Sequence, residues 1–151
     1  MSRLVAGLVL SLTVGQAQSA VIGSCTIMVN SQGALANNPA IDVLGSKQPG
    51  GTAATATVTT NSIVCIVLGL IDCYSISAPA PAGFLIAPGS GGVDVGFATT
   101  FRLDGGAERS GNTPFKVRNG TYQMQVDLTA SKSAGIFAAG LYRAEVLVRC
   151  E

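Results

Sequence analysis

An antiparallel β-sandwich is the fold this sequence predicts, and three observations carry the prediction. Apolar residues recur at every second position through most of the chain, the pattern of a strand with one buried face. Clusters of Gly, Pro, Asn and Asp punctuate these segments, and such residues supply the positive φ and the missing ladder donors that turns need. Only 11% of the residues are charged, against about a quarter in an average domain, so long solvated helices have little to be built from.

The elements follow in chain order. Residues 1–19 read as a secretory signal peptide: Met1, Ser2 and Arg3 make a short positive start, residues 4–14 are apolar, and Gly15-Gln16-Ala17 offers small residues at cleavage-type spacing. The apolar run is shorter than the roughly 20 residues a membrane span needs. A later run, residues 63–71, is broken by Gly69 and stopped by Asp72, so no stable membrane span is expected. Ile22-Gly23-Ser24-Cys25 weakly echoes a bacterial lipoprotein box, but acylating Cys25 leaves three thiols in an oxidising compartment, and a disulfide is the better use of it. Residues 20–151 then form a single β-sandwich domain, since no linker divides them.

Cys25, Ile27 and Val29 alternate with Thr26, Met28 and Asn30 as a first strand. Residues 53–68, rich in Thr, Val and Ile, read as a strand whose inward set changes from Ala56 and Val58 to Ile63, Cys65 and Val67, with a bulge or bend at Asn61-Ser62. Residues 72–78, 83–87 and 93–103 supply further strands. Tyr122, Met124, Val126 and Leu128 alternate with Gln123, Gln125 and Asp127. The clearest strand is the last, where Tyr142, Ala144, Val146, Val148 and Cys150 alternate with Arg143, Glu145, Leu147 and Arg149. Residues 32–51 and 108–120 read as loops, and residues 132–140 as a helical turn or a connection packed by Phe137.

Composition excludes much chemistry. The chain has no His, which removes Ser-His-Asp and Cys-His arrangements, an imidazole base and His-ligated metal. Nine basic against eight acidic residues leave no footprint for nucleic acid. Asp94, Asp104 and Glu108 read as turn acids rather than a glycosidase pair, and Asp104-Gly105-Gly106 lacks a full calcium-loop pattern. Lys116, Arg118 and Arg143 read as ordinary polar surface. Tyr74, Tyr122 and Tyr142 fit core positions with rim hydroxyls better than a sugar-stacking platform. Asn119-Gly120-Thr121 is a glycosylation acceptor only in a eukaryotic secretory route. No catalytic residue, cofactor or metal ligand is assigned, and an enzyme is not expected.

All four cysteines, Cys25, Cys65, Cys73 and Cys150, lie beyond the signal peptide, so two disulfides are expected. In an immunoglobulin-like sandwich, antiparallel neighbours bring Cys25 toward Cys65 and Cys73 toward Cys150, and these are the favoured pairs. One detail opposes them: Cys73 alternates with Ser75 and Ser77, whereas Cys150 lies on the apolar side of its strand. The rival set, Cys65 with Cys73 and Cys25 with Cys150, therefore stays open.

The signal peptide, the opening Cys25-Thr-Ile-x-Val29, a second Cys forty residues later and the closing Gly140-Leu-Tyr-Arg-Ala-Glu-Val-Leu-Val-Arg-Cys150 together resemble bacterial chaperone–usher pilins and spore coat protein U-like domains. The resemblance covers residues 25–151. It implies an incomplete immunoglobulin-like sandwich with a disulfide between its first two strands and its last strand missing, which leaves a groove beside residues 141–150. Tyr142, Ala144, Val146 and Val148 would line that groove, and protein partners would fill it by strand addition: a periplasmic chaperone, an usher or a neighbouring subunit. The sequence departs from the pattern in two ways. Few residues precede Cys25 in the mature chain, while a donor strand needs roughly ten at about 3.3 Å each, so this subunit is expected to accept a strand rather than donate one. It also closes on Cys150-Glu151 where many pilins carry a penultimate Tyr. The expected function is thus an exported pilus or coat subunit in the periplasm or at the cell surface, with no active site. The alternative is a secreted binding module, a tip adhesin or lectin, using residues 32–51 and 105–120 and recognisable by a concave polar and aromatic patch there.

Overall fold

The computed structural model describes residues 23–67 and 73–151. The signal-peptide reading of residues 1–19 lies outside them. Ten strands are described: β1 (Gly23–Ser31), β2 (Ala36–Asn37), β3 (Val43–Gly45), β4 (Ala54–Ser62), β5 (Tyr74–Ser77), β6 (Val95–Leu103), β7 (Arg109–Ser110), β8 (Phe115–Val117), β9 (Gly120–Lys132) and β10 (Arg149–Cys150). One helical turn, α1 (Ile63–Val67), follows β4, and a 3-10 turn, Gly89–Gly92, precedes β6.

The strands form two antiparallel sheets, as predicted. In the first, β9 is central: β4 pairs with its first half, β3 with its second half on the same side, and β6 along the other side. β1 lies beyond β4, β2 beyond β3, and β7 beyond β6. The second sheet is β10–β5–β8. The order β1–β4–β9–β6 facing β10–β5 is that of the first six strands of an immunoglobulin-like sandwich, in which a seventh lies beside the sixth. No described strand occupies that seventh place.

Alternation builds the core. Ala56 and Val58 of β4, Phe101 of β6, and Met124 and Val126 of β9 point inward against Ile76, Ala78 and Val117. Ile76 and Val58 are 0% exposed and Phe101 and Met124 1%. Polar groups at the end of β4 are satisfied too: the buried Thr60 hydroxyl donates to Arg118 O at 2.7 Å, and the Asn119 side chain accepts from Ser62 N and donates to Ser62 O.

Several expected elements differ. Residues 63–67 are a helical turn rather than strand, because Asn119 takes both peptide groups of Ser62 and leaves β4 nothing to extend along; Ile63, Ile66 and Val67 are exposed and only Cys65 turns in. The bulge expected at Asn61-Ser62 is absent, and the irregular register falls in β1 between Val29 and Ser31. Residues 83–87 hold one bridge, Ile86 to Arg143, instead of a strand. Both expected loops contain strands. β9 runs to Lys132, past the end of β4, and Val43 and Leu44 pair on the edge thus left free. Phe115–Val117 likewise pairs with β5. Asp127, on the outward phase, is 8% exposed because Ser46 covers it and donates to its carboxylate at 2.6 Å. Of the expected connection, residues 132–140, Lys132 ends β9 and residues 133–140 are a connection in which Phe137 is buried.

The disulfides are Cys25–Cys150 and Cys65–Cys73, the rival set and not the favoured one. Register explains the correction. β1 pairs with β4 so that Gly23 faces Ser62 and Cys25 faces Thr60, which leaves Cys65 beyond the end of the ladder. β10 pairs with β5 so that Cys150 faces Ile76, three residues past Cys73. Cys25 and Cys150 both turn into the sandwich from opposite sheets, with Cα atoms 6.3 Å apart, and their bridge staples the sheets together.

Candidate functional site: the open edge of the last segment

The last segment keeps the predicted alternation without forming the predicted strand. Tyr142, Ala144, Val146, Val148 and Cys150 are half-buried and the residues between them exposed. Yet only Arg149–Cys150 forms a ladder, with β5, extended by reciprocal bonds between Ser75 and Glu151 at 2.7 and 3.0 Å. At the other end Arg143 bridges Ile86. Among the described residues the backbone of residues 144–148 has no hydrogen-bonding partner.

Each end is seated by side chains. Tyr142 packs edge-on against Phe84 and Phe137, at 5.1 and 5.4 Å between ring centroids, and Phe84 packs on Phe97 at 4.8 Å. Such T-shaped pairs contribute roughly 0.5–1.5 kcal/mol each beyond their buried area. The Tyr142 hydroxyl donates to Ala138 O at 2.8 Å. At the far end the Cys25–Cys150 bridge holds the chain. Between these ties Val146 and Val148 pack against the main core and stay partly exposed. On β1, the edge strand of the first sheet that Cys25 ties to Cys150, Val29 lies on the inward phase and is still 70% exposed. The region therefore combines free backbone donors and acceptors with incompletely covered aliphatic side chains, the chemistry that an added strand satisfies.

Tyr142, Ala144, Val146 and Val148, the four residues expected to line a groove, lie on the partly buried phase of this segment. Sequence reasoning placed Val29 on the first strand and Phe137 in a packed connection without joining either to this edge, and it missed Ile86 and the contact of Phe84 with Phe97 and Phe137; Phe97 lies on β6 and the other two rings in loops, with no shared period, so no local signal could have joined them. Tyr74 and Tyr122 are rim tyrosines as expected, donating to Asn61 O and Arg118 O. Asp94 and Asp104 sit in turns at φ 55 and 50, and Asp104 accepts from Gln123 N at 2.7 Å. Glu108 pairs with Lys47, whose ammonium hydrogen bond holds its carboxyl below the ordinary carboxylate range, with Thr100 adding to the effect. These three acids do not converge, and no group of metal-ligating residues occurs among the described residues.

The Lys47–Glu108 pair joins the two segments considered for ligand binding. A surface depression on the outer face of the first sheet, lined by Asn30, Thr55, Asp104, Gly105, Gln123, Met124 and Gln125, touches these segments only at Gly105 and has no aromatic ring. No helix among the described residues is long and apolar enough to cross a membrane. Two disulfides fit a protein that folds in an oxidising compartment. Comparison with protein-family models, with curated proteins and with solved structures finds no match.

Proposed function

We propose that the protein is an exported structural subunit that completes its sandwich by accepting a β-strand from a protein partner along residues 144–148. The observation that carries this reading is the unpartnered backbone of that segment, whose Ala144, Val146 and Val148 are only partly buried, along the edge beside which an immunoglobulin-like sandwich has its seventh strand. The resemblance to pilins and coat protein U-like domains supports it, because strand addition is how those families assemble. The two tied ends of the segment support it as well, since ends fixed before a partner arrives lower the ordering cost of binding.

The test is amide hydrogen exchange on the disulfide-bonded protein with a synthetic peptide of alternating aliphatic residues. Amides of residues 144–148 are expected to exchange fast in the free protein and to become protected with peptide, together with a rise in melting temperature. An N-methylated peptide of the same sequence, which keeps the side chains and loses the donors, should fail, as should capture by a Val146→Asp variant. Slow exchange in the free protein, or equal response to both peptides, would show a sandwich already complete.

A further inference from the structure

We propose that the strand accepted along residues 144–148 is the same segment of a second copy of this chain, paired antiparallel about a two-fold axis at Leu147. The inference rests on the strand-acceptance reading and names its partner.

Backbone parity decides which groups face the open edge. Glu151 exchanges both its hydrogen bonds with Ser75, and Arg143 exchanges both with Ile86, so the odd-numbered residues at the two ends turn their peptide groups toward β5 and the chain that follows it. Successive residues of an extended segment point to opposite edges, which leaves the N–H and C=O groups of Ala144, Val146 and Val148 aimed at the open edge. Two copies related by the axis match these groups: Val146 with Val148 of the second copy, Ala144 with its Cys150, and the reverse of each.

The outward side chains supply the selection. In order along the segment they are Arg143, Glu145, Leu147, Arg149 and Glu151, all exposed. None of the four charges has an ion-pair partner among the described residues. On β5 alongside, Ile76 points inward, and the residues on the outer phase, Ser75 and Ser77, are uncharged. Antiparallel pairing centred on Leu147 sets Arg143 opposite Glu151 and Glu145 opposite Arg149, each twice by symmetry, so the charge row is complementary to itself. A register shifted by two residues sets Arg143 opposite Arg149 in one direction and Glu145 opposite Glu151 in the other. Parallel pairing in register sets every charge beside its like. Like charges facing across strands are destabilising and opposite ones stabilising. Charges on an edge strand ordinarily prevent pairing, and here they prevent these alternatives while favouring the register centred on Leu147.

Leu147 falls into place in the same arrangement. It is 60% exposed in a row otherwise charged. At the axis it occupies a non-hydrogen-bonded pair, where facing Cα atoms approach to about 4.5 Å, so the two leucines cover each other. The contact joins the second sheets of both copies edge to edge. Because one patch serves both copies, the contact is isologous and closes at the dimer.

Sedimentation equilibrium on the disulfide-bonded protein tests this with Arg149→Glu and Glu145→Arg, both at exposed positions. The parent protein should show a monomer–dimer equilibrium with nothing larger. Each variant alone sets two like-charged pairs across the axis and should have its dissociation constant raised at least tenfold. An equimolar mixture of the two variants should recover the dimer, because every facing pair is again of opposite charge, and so should the double variant; recovery also shows that the variants fold. As the parent passes from monomer to dimer, amides of Ala144, Val146 and Val148 should become protected while those of Glu145 and Leu147 stay fast. A parent protein that stays monomeric, single variants that pair as the parent does, or a mixture that stays monomeric would each overturn the proposal. The aliphatic peptide on dilute parent protein scores strand acceptance separately: protection by peptide without any dimer removes this inference and leaves that reading standing, whereas protection by neither peptide nor concentration removes both.

Discussion

In the first sheet, β1, β4, β9 and β6 pair over seven to nine positions at each interface, whereas in the second, β5 pairs over two positions with β10 and three with β8. Long ladders make the first sheet a cooperative unit whose backbone groups satisfy one another. The second sheet is placed by side chains instead: Ile76 plugged into the core, Tyr142 in its aromatic seat, and a covalent staple at Cys150. The difference teaches where stability lies, and it puts the open edge on the side that has least backbone pairing to lose.

Cutting the staple should separate the sheets most sharply. Replacing Cys25 and Cys150 together by Ala removes a bridge of sequence separation 125, and the chain-entropy model assigns such a closure about 5 kcal/mol. Denaturant unfolding should show that loss, and hydrogen exchange should show residues 74–77 and 149–150 opening while β4 and β9 stay protected. Equal loss of protection in both sheets would erase the comparison.

The next contrast is between two apolar truncations. Phe101→Ala, in the first sheet and 1% exposed, should cost about 3–5 kcal/mol, while Val146→Ala, half-buried at the open edge, should cost about 1 kcal/mol or less. Matched urea melts decide it, and comparable costs would mean that the edge is already covered. Removing Cys65–Cys73, of separation 8, should cost about 2.5 kcal/mol and leave both ladders intact by exchange.

A finer probe is Tyr142→Phe, which keeps the ring and deletes the bond to Ala138 O; a loss of about 1 kcal/mol is expected, with faster exchange at residues 141–143. The smallest effect belongs to Glu108. Its folded carboxyl titrates below the ordinary value because of Lys47, so the pair stabilises the fold above the unfolded pKa, and that contribution disappears as pH falls through the lower folded value. Glu108→Gln should flatten this acid limb of a stability–pH curve and change little at neutral pH, as expected of an exposed pair.

Much of the architecture was legible because strand alternation is a local property. The inward residues of β1, β9 and the final segment were read correctly from period two alone, down to the half-buried phase of Tyr142, Ala144, Val146 and Val148. Where local pattern was weak, reading failed. Val43 and Leu44 form a strand only because β9 outruns β4 and offers them an edge, and Ile63, Cys65 and Val67 leave the strand only because Asn119, far along the chain, occupies Ser62. Asp127 carried the alternation of a solvated residue until Ser46 closed over it.

The cysteines mark the boundary between the two kinds of knowledge. Their number, their placement after the apolar amino-terminal run and the side of the strand each occupies are written in the chain, and they sufficed to expect two bridges in a β-sandwich. Which thiol meets which depends on the register of β1 on β4 and of β10 on β5, set by the whole sheet at once. A shift of a few residues changes every partner and leaves the local pattern untouched. The same holds for the open edge: alternation named its side chains, but that backbone groups 144–148 meet no described neighbour is a property of how the two sheets were finally laid together.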